Sequence, residues 1–134
     1  MAAGYSGTPL PRKLGVTDGT NVALIGAPED WSIPDLPPGS RISRRDSSTA
    51  QVKLLFVRSA AELRRIAPAK AGGLADRAAL WIAWPRKAGG HESDLTENLL
   101  REVVLPLGLV DVKVAALDDD WSGLKFVRRK ELRK

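Results

Sequence analysis

The chain of 134 residues contains no cysteine, a single histidine and no long apolar run. Without cysteine it cannot form disulfides, iron–sulfur clusters or zinc knuckles, and it has no thiol nucleophile. No apolar run nears the ~20 residues that a membrane span needs, and the N-terminus lacks the basic and then apolar order of a signal peptide. These absences predict a cytoplasmic protein without a membrane partner, and the length suits one domain.

Motifs typical of common catalytic sites are missing too. The sequence has neither a Gly-x-x-x-x-Gly-Lys phosphate loop nor a Gly-x-Ser-x-Gly nucleophile elbow. His91 lies in a glycine-rich loop; a catalytic base with Glu92 or a metal ligand is conceivable there, but no second ligand is in view. The acids of residues 118–120 lack the spacing of a calcium loop and suit a hairpin turn. We therefore predict no catalytic residue, no metal ligand and no cofactor.

The positive charge is concentrated at the C-terminus. Residues 125–134 carry six basic side chains and one acid, and so account for the whole formal net charge of +5. A basic segment can bind phosphates or an acidic partner. Nucleic-acid binders more often spread basic residues over a face with aromatics interleaved. We interpret residues 129–134 as a solubilising basic tail and keep nucleic-acid binding as an alternative.

Hydrophobic patterning predicts strands alternating with helices. A short helical turn at residues 12–15 precedes two longer helices. One is capped by Ser59 and interrupted or restarted at Pro68; the other is capped by Asp94 and ended or kinked by Pro106. In the proline-rich segment 26–39, the apolar side chains either form an exposed patch or cover one end of the core. Strands are expected at residues 22–25, 41–44, 52–57, 80–84, 110–117 and 124–128.

This element order predicts the fold class. Strands separated by helices favour a parallel sheet with right-handed crossovers, and the short acidic turn between the last two strands favours an antiparallel pair. We predict a small three-layer Rossmann-like α/β fold with a mostly parallel sheet and a C-terminal antiparallel hairpin. Residues 1–128 should form one domain, with residues 1–20 as a loop and short helix leading into it.

The carboxyl edge of that sheet is the predicted site, because open α/β sheets bind ligands beyond the carboxyl ends of their strands. Cations are expected there from three strands, beside two helix N-termini that also favour anions. They predict a positive ledge that binds a small anion, a nucleotide phosphate or an acidic protein surface. Alternatively, the arginines are solvated and paired with nearby acids. The candidate ligand-binding residues are Gly26, Ala27, Arg44, Arg45, Arg58, Trp84, Arg86, Lys87 and Asp94.

Four segments resemble a family of small bacterial proteins that share a domain of unknown function. They are LWIAWPRK at residues 80–87, DLTE at 94–97, GLVDVKV at 108–114 and WSGLKFV at 121–127, and residues 6–10 and 13–16 are similar as well. The resemblance covers most of the chain except residues 29–51. It implies a domain and no particular reaction.

A second resemblance concerns topology. A strand, a helix and an antiparallel hairpin at the C-terminus are similar to the end of methyltransferases that use S-adenosylmethionine. Such a domain needs a glycine-rich loop after its first strand and an acid at the end of its second. Here the first loop is Gly26-Ala27-Pro28, and Asp46 comes only after two arginines. Both departures count against cofactor binding.

The predicted function is therefore a non-catalytic binding or regulatory module on a degenerate Rossmann-like scaffold. Its expected partner is a small anionic ligand or an acidic protein surface. A methyltransferase-like enzyme and a nucleic-acid binder remain as alternatives. The sequence leaves the oligomeric state open.

Overall fold

A six-stranded sheet organises the computed structural model, which describes residues 8–134. Its strands are β1 (Asn21–Ile25), β2 (Arg41–Ser43), β3 (Val52–Phe56), β4 (Ala79–Pro85), β5 (Leu109–Ala116) and β6 (Trp121–Arg128). The helices are α1 (Leu10–Leu14), α2 (Ala60–Gly72) and α3 (Glu97–Val104), with short 3-10 turns at Lys87–Gly89, Leu105–Leu107 and Lys130–Leu132.

The strand order is β2-β1-β3-β4-β6-β5. The first four strands of that order run parallel, and β6 lies antiparallel between β4 and β5. Residues 117–120 are too few for a crossover, so the chain must reverse there. The predicted mostly parallel α/β sheet with a C-terminal antiparallel hairpin is confirmed.

Both faces of the sheet are covered, and β3 is buried along its whole length. On one face α2 and α3 pack over a core that includes Leu55, Ile82 and Phe126. On the other, α1 and the proline-rich segment pack over Phe56 and Trp81. The result is three layers, one of them made of a five-residue helix and a loop.

The proline-rich segment covers one end of the core. Trp31 and Ile33 are 7% and 5% exposed, and both belong to the core cluster beneath α1. Only Leu36 remains at the surface, at 36% exposure. Because Trp31 and Ile33 are buried, the segment covers one end of the core and does not form an exposed apolar patch.

Two helix details differ from prediction. Pro68 lies inside α2, which continues through it because Ala67 and Ala71 on either side are buried against the sheet and offset one lost amide bond. Helix α3 begins later than predicted: Thr96, and not Asp94, is its N-cap and accepts from the Leu99 amide at 3.1 Å. As predicted, this helix ends before Pro106, and the 3-10 turn that follows closes at a left-handed glycine, Gly108.

The C-terminal segment is folded against the domain. Arg129 donates to the carbonyls of Leu105 and Leu109 at 3.1 and 3.3 Å, and Arg133 donates to that of Arg128 at 3.0 Å. Residues predicted as a basic tail thus bind the end of the α3 region, where cations are favoured. The predicted loop at residues 1–7, including the family similarity at residues 6–7, lies outside the described residues. Within residues 8–134, no helix combines the length and apolarity needed to cross a bilayer.

Candidate ligand-binding cleft

An open cleft of about 550 Å³ lies at the carboxyl ends of β1, β3 and β4. This is the edge of the sheet at which the sequence analysis placed the site. Four segments meet there: the segment after β1, Arg58 two residues after the end of β3, the loop after β4, and the β5–β6 turn. The lining residues are Pro28, Asp30, Trp31, Ser32, Arg58, Pro85, His91, Asp118, Asp120 and Trp121.

Aromatic rings form the wall of the cleft. Trp31 and Trp121 both contact the buried ring of Phe56 edge-on, with centroids 4.9 Å apart in each pair. Both tryptophans are less than one-tenth exposed, so they contribute a fixed apolar surface and little free ring face. The guanidinium of Arg58 lies 5.4 Å from the Trp121 ring centroid, within cation–π range. The wall therefore positions one cation at the opening.

Asp118 holds two of the four segments together. Its Oδ2 accepts from the Trp31 indole N–H at 2.8 Å, and its Oδ1 accepts from the amides of Asp120 and Trp121, also at 2.8 Å. Arg86 donates to the backbone carbonyl of the same residue at 3.0 Å. A carboxylate with three donors is well satisfied, so we assign Asp118 to the architecture of the cleft.

His91 pairs with Asp120 across the cleft. Its Nε2 lies 2.8 Å from the Asp120 Oδ1, and the two side chains are 43% and 60% exposed. The partner is thus the acid of the hairpin turn, and Glu92, considered from sequence, is not in this pair. An imidazole held by a carboxylate can accept or donate a proton. Among residues 8–134, no three His, Asp or Glu side chains are placed together to hold a metal ion.

The five predicted cations are not brought together as one ledge. Arg58 lines the cleft, whereas Arg44 at its border donates to the carbonyls of Pro28 and Trp31 at 2.7 and 2.9 Å. Arg86 is engaged with the hairpin turn, as described above. Arg45 and Lys87 are exposed and are not among the lining residues. The positive ledge predicted from sequence is therefore wrong. One arginine, Arg58, lies in the cleft, and two others, Arg44 and Arg86, donate to backbone carbonyls of the segments that form it.

The other four candidates have structural surroundings. Gly26 adopts φ +71°, and a Cβ there would lie 3.2 Å from the Phe56 carbonyl oxygen, which explains the glycine at this turn. Ala27 packs on the core beneath α1. Trp84, at 7% exposure, lies in the core under α2 and α3. Asp94 Oδ1 accepts from the Ala60 amide at 2.9 Å and so binds the start of α2 instead of capping α3. None of the four lines the cleft.

Sequence reasoning missed the acidic character of this edge. The lining carries three aspartates against one arginine and one histidine. A signal was available: β6 runs antiparallel to β4 and therefore starts at the carboxyl end of β4. The acidic turn that precedes β6 must then lie at that same edge, next to the loop that carries His91.

Comparisons with known proteins add little about activity. No protein-family model matches the chain, so the family resemblance stays a prediction. No curated protein matches it either. Among solved structures, Sp1610 of Streptococcus pneumoniae, a proposed tRNA methyltransferase, is similar at 13% identity and a TM-score of 0.49. The match covers 84% of this chain and 65% of that one, and so spans less than two thirds of the neighbour's length.

Proposed function

We propose that the protein is a non-catalytic binding module, and that its cleft holds a small ligand through an anionic group bound by Arg58. One observation carries the proposal. Arg58 is exposed in an open cleft, is positioned by the Trp121 ring, and forms no ion pair with any acid of residues 8–134. A guanidinium held in place with unused donors is suited to a carboxylate or phosphate group.

The acids of the cleft favour a small ligand over a polyanion. Asp118 accepts from three donors and Asp120 pairs with His91, so both carboxylates already have hydrogen-bond partners within the protein. Asp30 lines the same cleft and makes no hydrogen bond or ion pair within the described chain. A ligand with one anionic group and a hydrogen-bond donor can satisfy both Arg58 and Asp30. A nucleic-acid strand would place further phosphates against these carboxylates.

The test is an NMR titration with acetate and, separately, with inorganic phosphate. The indole N–H groups of Trp31 and Trp121 report on the cleft, because the first is bonded to Asp118 and the second lies under Arg58. We expect both indole signals to shift in the wild type. Arg58→Met should weaken that response by about tenfold or more, the loss expected when a charge-assisted pair is removed.

Arg45→Met is the matched control, since Arg45 is an exposed arginine outside the cleft. It removes the same charge and should leave the titration unchanged. Equal responses in the two variants would place any anion binding elsewhere on the protein. No shift of either indole signal in the wild type would reject the anionic group as the recognised feature.

Neither alternative function has a contact of its own in this cleft. A methyltransferase-like enzyme rests on topology, and nucleic-acid binding rests on the charge of the C-terminal segment. The His91–Asp120 pair supplies proton-transfer chemistry without an identified nucleophile or substrate. We therefore retain the binding module as the proposal.

A further inference from the structure

Three lysines converge on the opposite side of the hairpin, beneath α1. Lys113 of β5 and Lys125 of β6 are direct cross-strand partners. The ammonium of Lys113 lies 5.8 Å from the Trp81 ring centroid, on the face that α1 covers. Lys13 of α1 is 7% exposed and donates to the Ala116 carbonyl at 3.1 Å. We call Lys13, Lys113 and Lys125 the lysine cluster.

The lysine cluster borders a cavity of about 440 Å³ that is distinct from the cleft. Its lining includes Thr8, Arg12, Lys13, Lys113 and residues 114–116, and none of these is acidic. Residues 1–7 have the sequence MAAGYSG and therefore contain no carboxylate side chain that could compensate the charge. The cavity thus has four basic side chains at or beside it and no acid in its lining.

Burial and neighbouring cations both lower the pKa of lysines in the cluster. Burial lowers the pKa of Lys13, and the charges of Lys113 and Arg86 lower it further. Burial likewise lowers the pKa of Lys125, followed by the charge of Lys113. For both side chains, the charged groups that shift the pKa are cations. Like charges placed directly opposite each other on neighbouring strands destabilise a sheet, so this arrangement needs a compensating partner.

We propose that the lysine cluster is a binding site for a phosphate group. A phosphate carries close to two negative charges at neutral pH and three strong acceptor oxygens, and so compensates more of the cluster than a single carboxylate does. Lysine ammonium groups bind phosphate as point charges, without the planar pairing that arginine uses for carboxylates. The bond from Lys13 to the Ala116 carbonyl fixes one ammonium. Lys113 lines the cavity, and Lys125 is its direct partner on the neighbouring strand.

Calorimetry with inorganic pyrophosphate at low salt tests this site. The test variant is Lys113→Met with Lys125→Met, which keeps the length of both side chains and removes two charges. The matched control is Lys130→Met with Lys134→Met, which removes the same charge from the C-terminal segment at the far end of β6. We expect wild type and control to bind pyrophosphate alike, and the test variant to bind about tenfold more weakly or worse.

Stability supplies a second readout. Without anion, the test variant should unfold at a higher temperature than the wild type, because the repulsion between Lys113 and Lys125 is gone. Pyrophosphate should raise the unfolding temperature of the wild type and the control, and raise that of the test variant less. If the double variant does not fold, Lys113→Met alone, at an exposed position of an edge strand, is compared with Lys130→Met in the same way.

A short single-stranded oligonucleotide identifies the source of the phosphate. Lysine-dependent binding of pyrophosphate supports a free phosphate or phosphate ester. Lysine-dependent binding of the oligonucleotide alone, weakening with salt, supports a nucleic-acid backbone as its carrier. Equal binding by test variant and wild type, no binding by either probe, or binding of a polyglutamate peptide alone would overturn the proposal. Arg58→Met should retain pyrophosphate binding here, which separates this site from the cleft.

Discussion

Replacing Asp46 by asparagine should destabilise the protein by about 2–3 kcal/mol at neutral pH. Asp46 accepts from the ammonium of Lys53 and from that of Lys70, both at 2.8 Å. Lys53 belongs to the central strand β3, and its side chain is only 5% exposed. Asparagine preserves the size of the side chain but leaves this buried ammonium without a counter-charge.

The magnitude follows from burial. Breaking a buried ion pair by removing one partner costs about 3–5 kcal/mol, because the remaining charge stays desolvated. Asp46 is 33% exposed, so water partly replaces it, and we expect a smaller loss of about 2–3 kcal/mol. Replacing Lys53 by methionine removes the buried charge itself and should cost less than about 1 kcal/mol. The double variant D46N/K53M should therefore be more stable than D46N alone.

The effect should depend on pH in a defined direction. Burial raises the pKa of Asp46, but hydrogen bonds and charge from Lys53 and Lys70 outweigh it and hold the pKa below its ordinary value. Folding is then favoured by the ionised carboxylate above the unfolded pKa of about 3.9, and that contribution is lost as the pH falls through the lower folded pKa. The stability difference between wild type and D46N should shrink as the pH falls below about 4.

Urea unfolding at pH 7 and at pH 3 measures these differences. Asp119→Asn, at an exposed position in the hairpin turn, is the matched control and should change stability by less than about 0.5 kcal/mol. Two results would refute the reasoning. D46N as stable as this control at pH 7 would mean that Lys53 reaches water and needs no counter-charge. K53M as damaging as D46N would mean that loss of the ion pair, and not an unpaired buried ammonium, sets the cost.

Three further predictions follow from the same structure. Gly26→Ala should lower the free energy of unfolding in urea by about 1–2 kcal/mol, because φ is +71° and the new Cβ meets the Phe56 carbonyl. The control is Gly72→Ala, in open space at the end of α2, which should be neutral or stabilise the protein by up to about 1 kcal/mol. Removing residues 129–134 should lower the unfolding temperature, since the bonds from Arg129 to Leu105 and Leu109 are lost; an unchanged temperature would restore the free tail predicted from sequence. Calorimetry with S-adenosylmethionine should show no binding, and a dissociation constant below ~10 µM would make the methyltransferase alternative the better one.

The sheet was predictable because strands and capped helices leave short-range signals. The apolar run of β1, the Ser59 capping box and the acidic hairpin turn each specify their element within a few residues, and the structure contains all three. The capping error at Asp94 has a clear cause. Asp94 and Thr96 both suit an N-cap, and only the three-dimensional contact of Asp94 with Ala60 decides between them.

The candidate site was less predictable because its side chains meet only through the fold. The edge itself followed from topology, but the direction of each arginine did not. Arg44 and Arg58 look alike in sequence, yet one donates to two loop carbonyls and the other remains exposed over Trp121. Asp118 reads as a turn residue, and its bond to Trp31, 87 positions away, has no local signal.

The basic residues of the C-terminal segment are adjacent in sequence but bind different parts of the fold. Residues 125–134 carry the whole net charge, which suggested one basic element. In the structure, Arg128 donates to the Ala71 and Leu74 carbonyls at the end of α2, and Arg129 does the same near α3. Such bonds use cations to stabilise helix C-termini. Lys125 lies on the opposite face of the sheet, in the lysine cluster. Anion binding by this region should therefore depend on Lys125 together with Lys13 and Lys113 from distant segments, and little on residues 129–134.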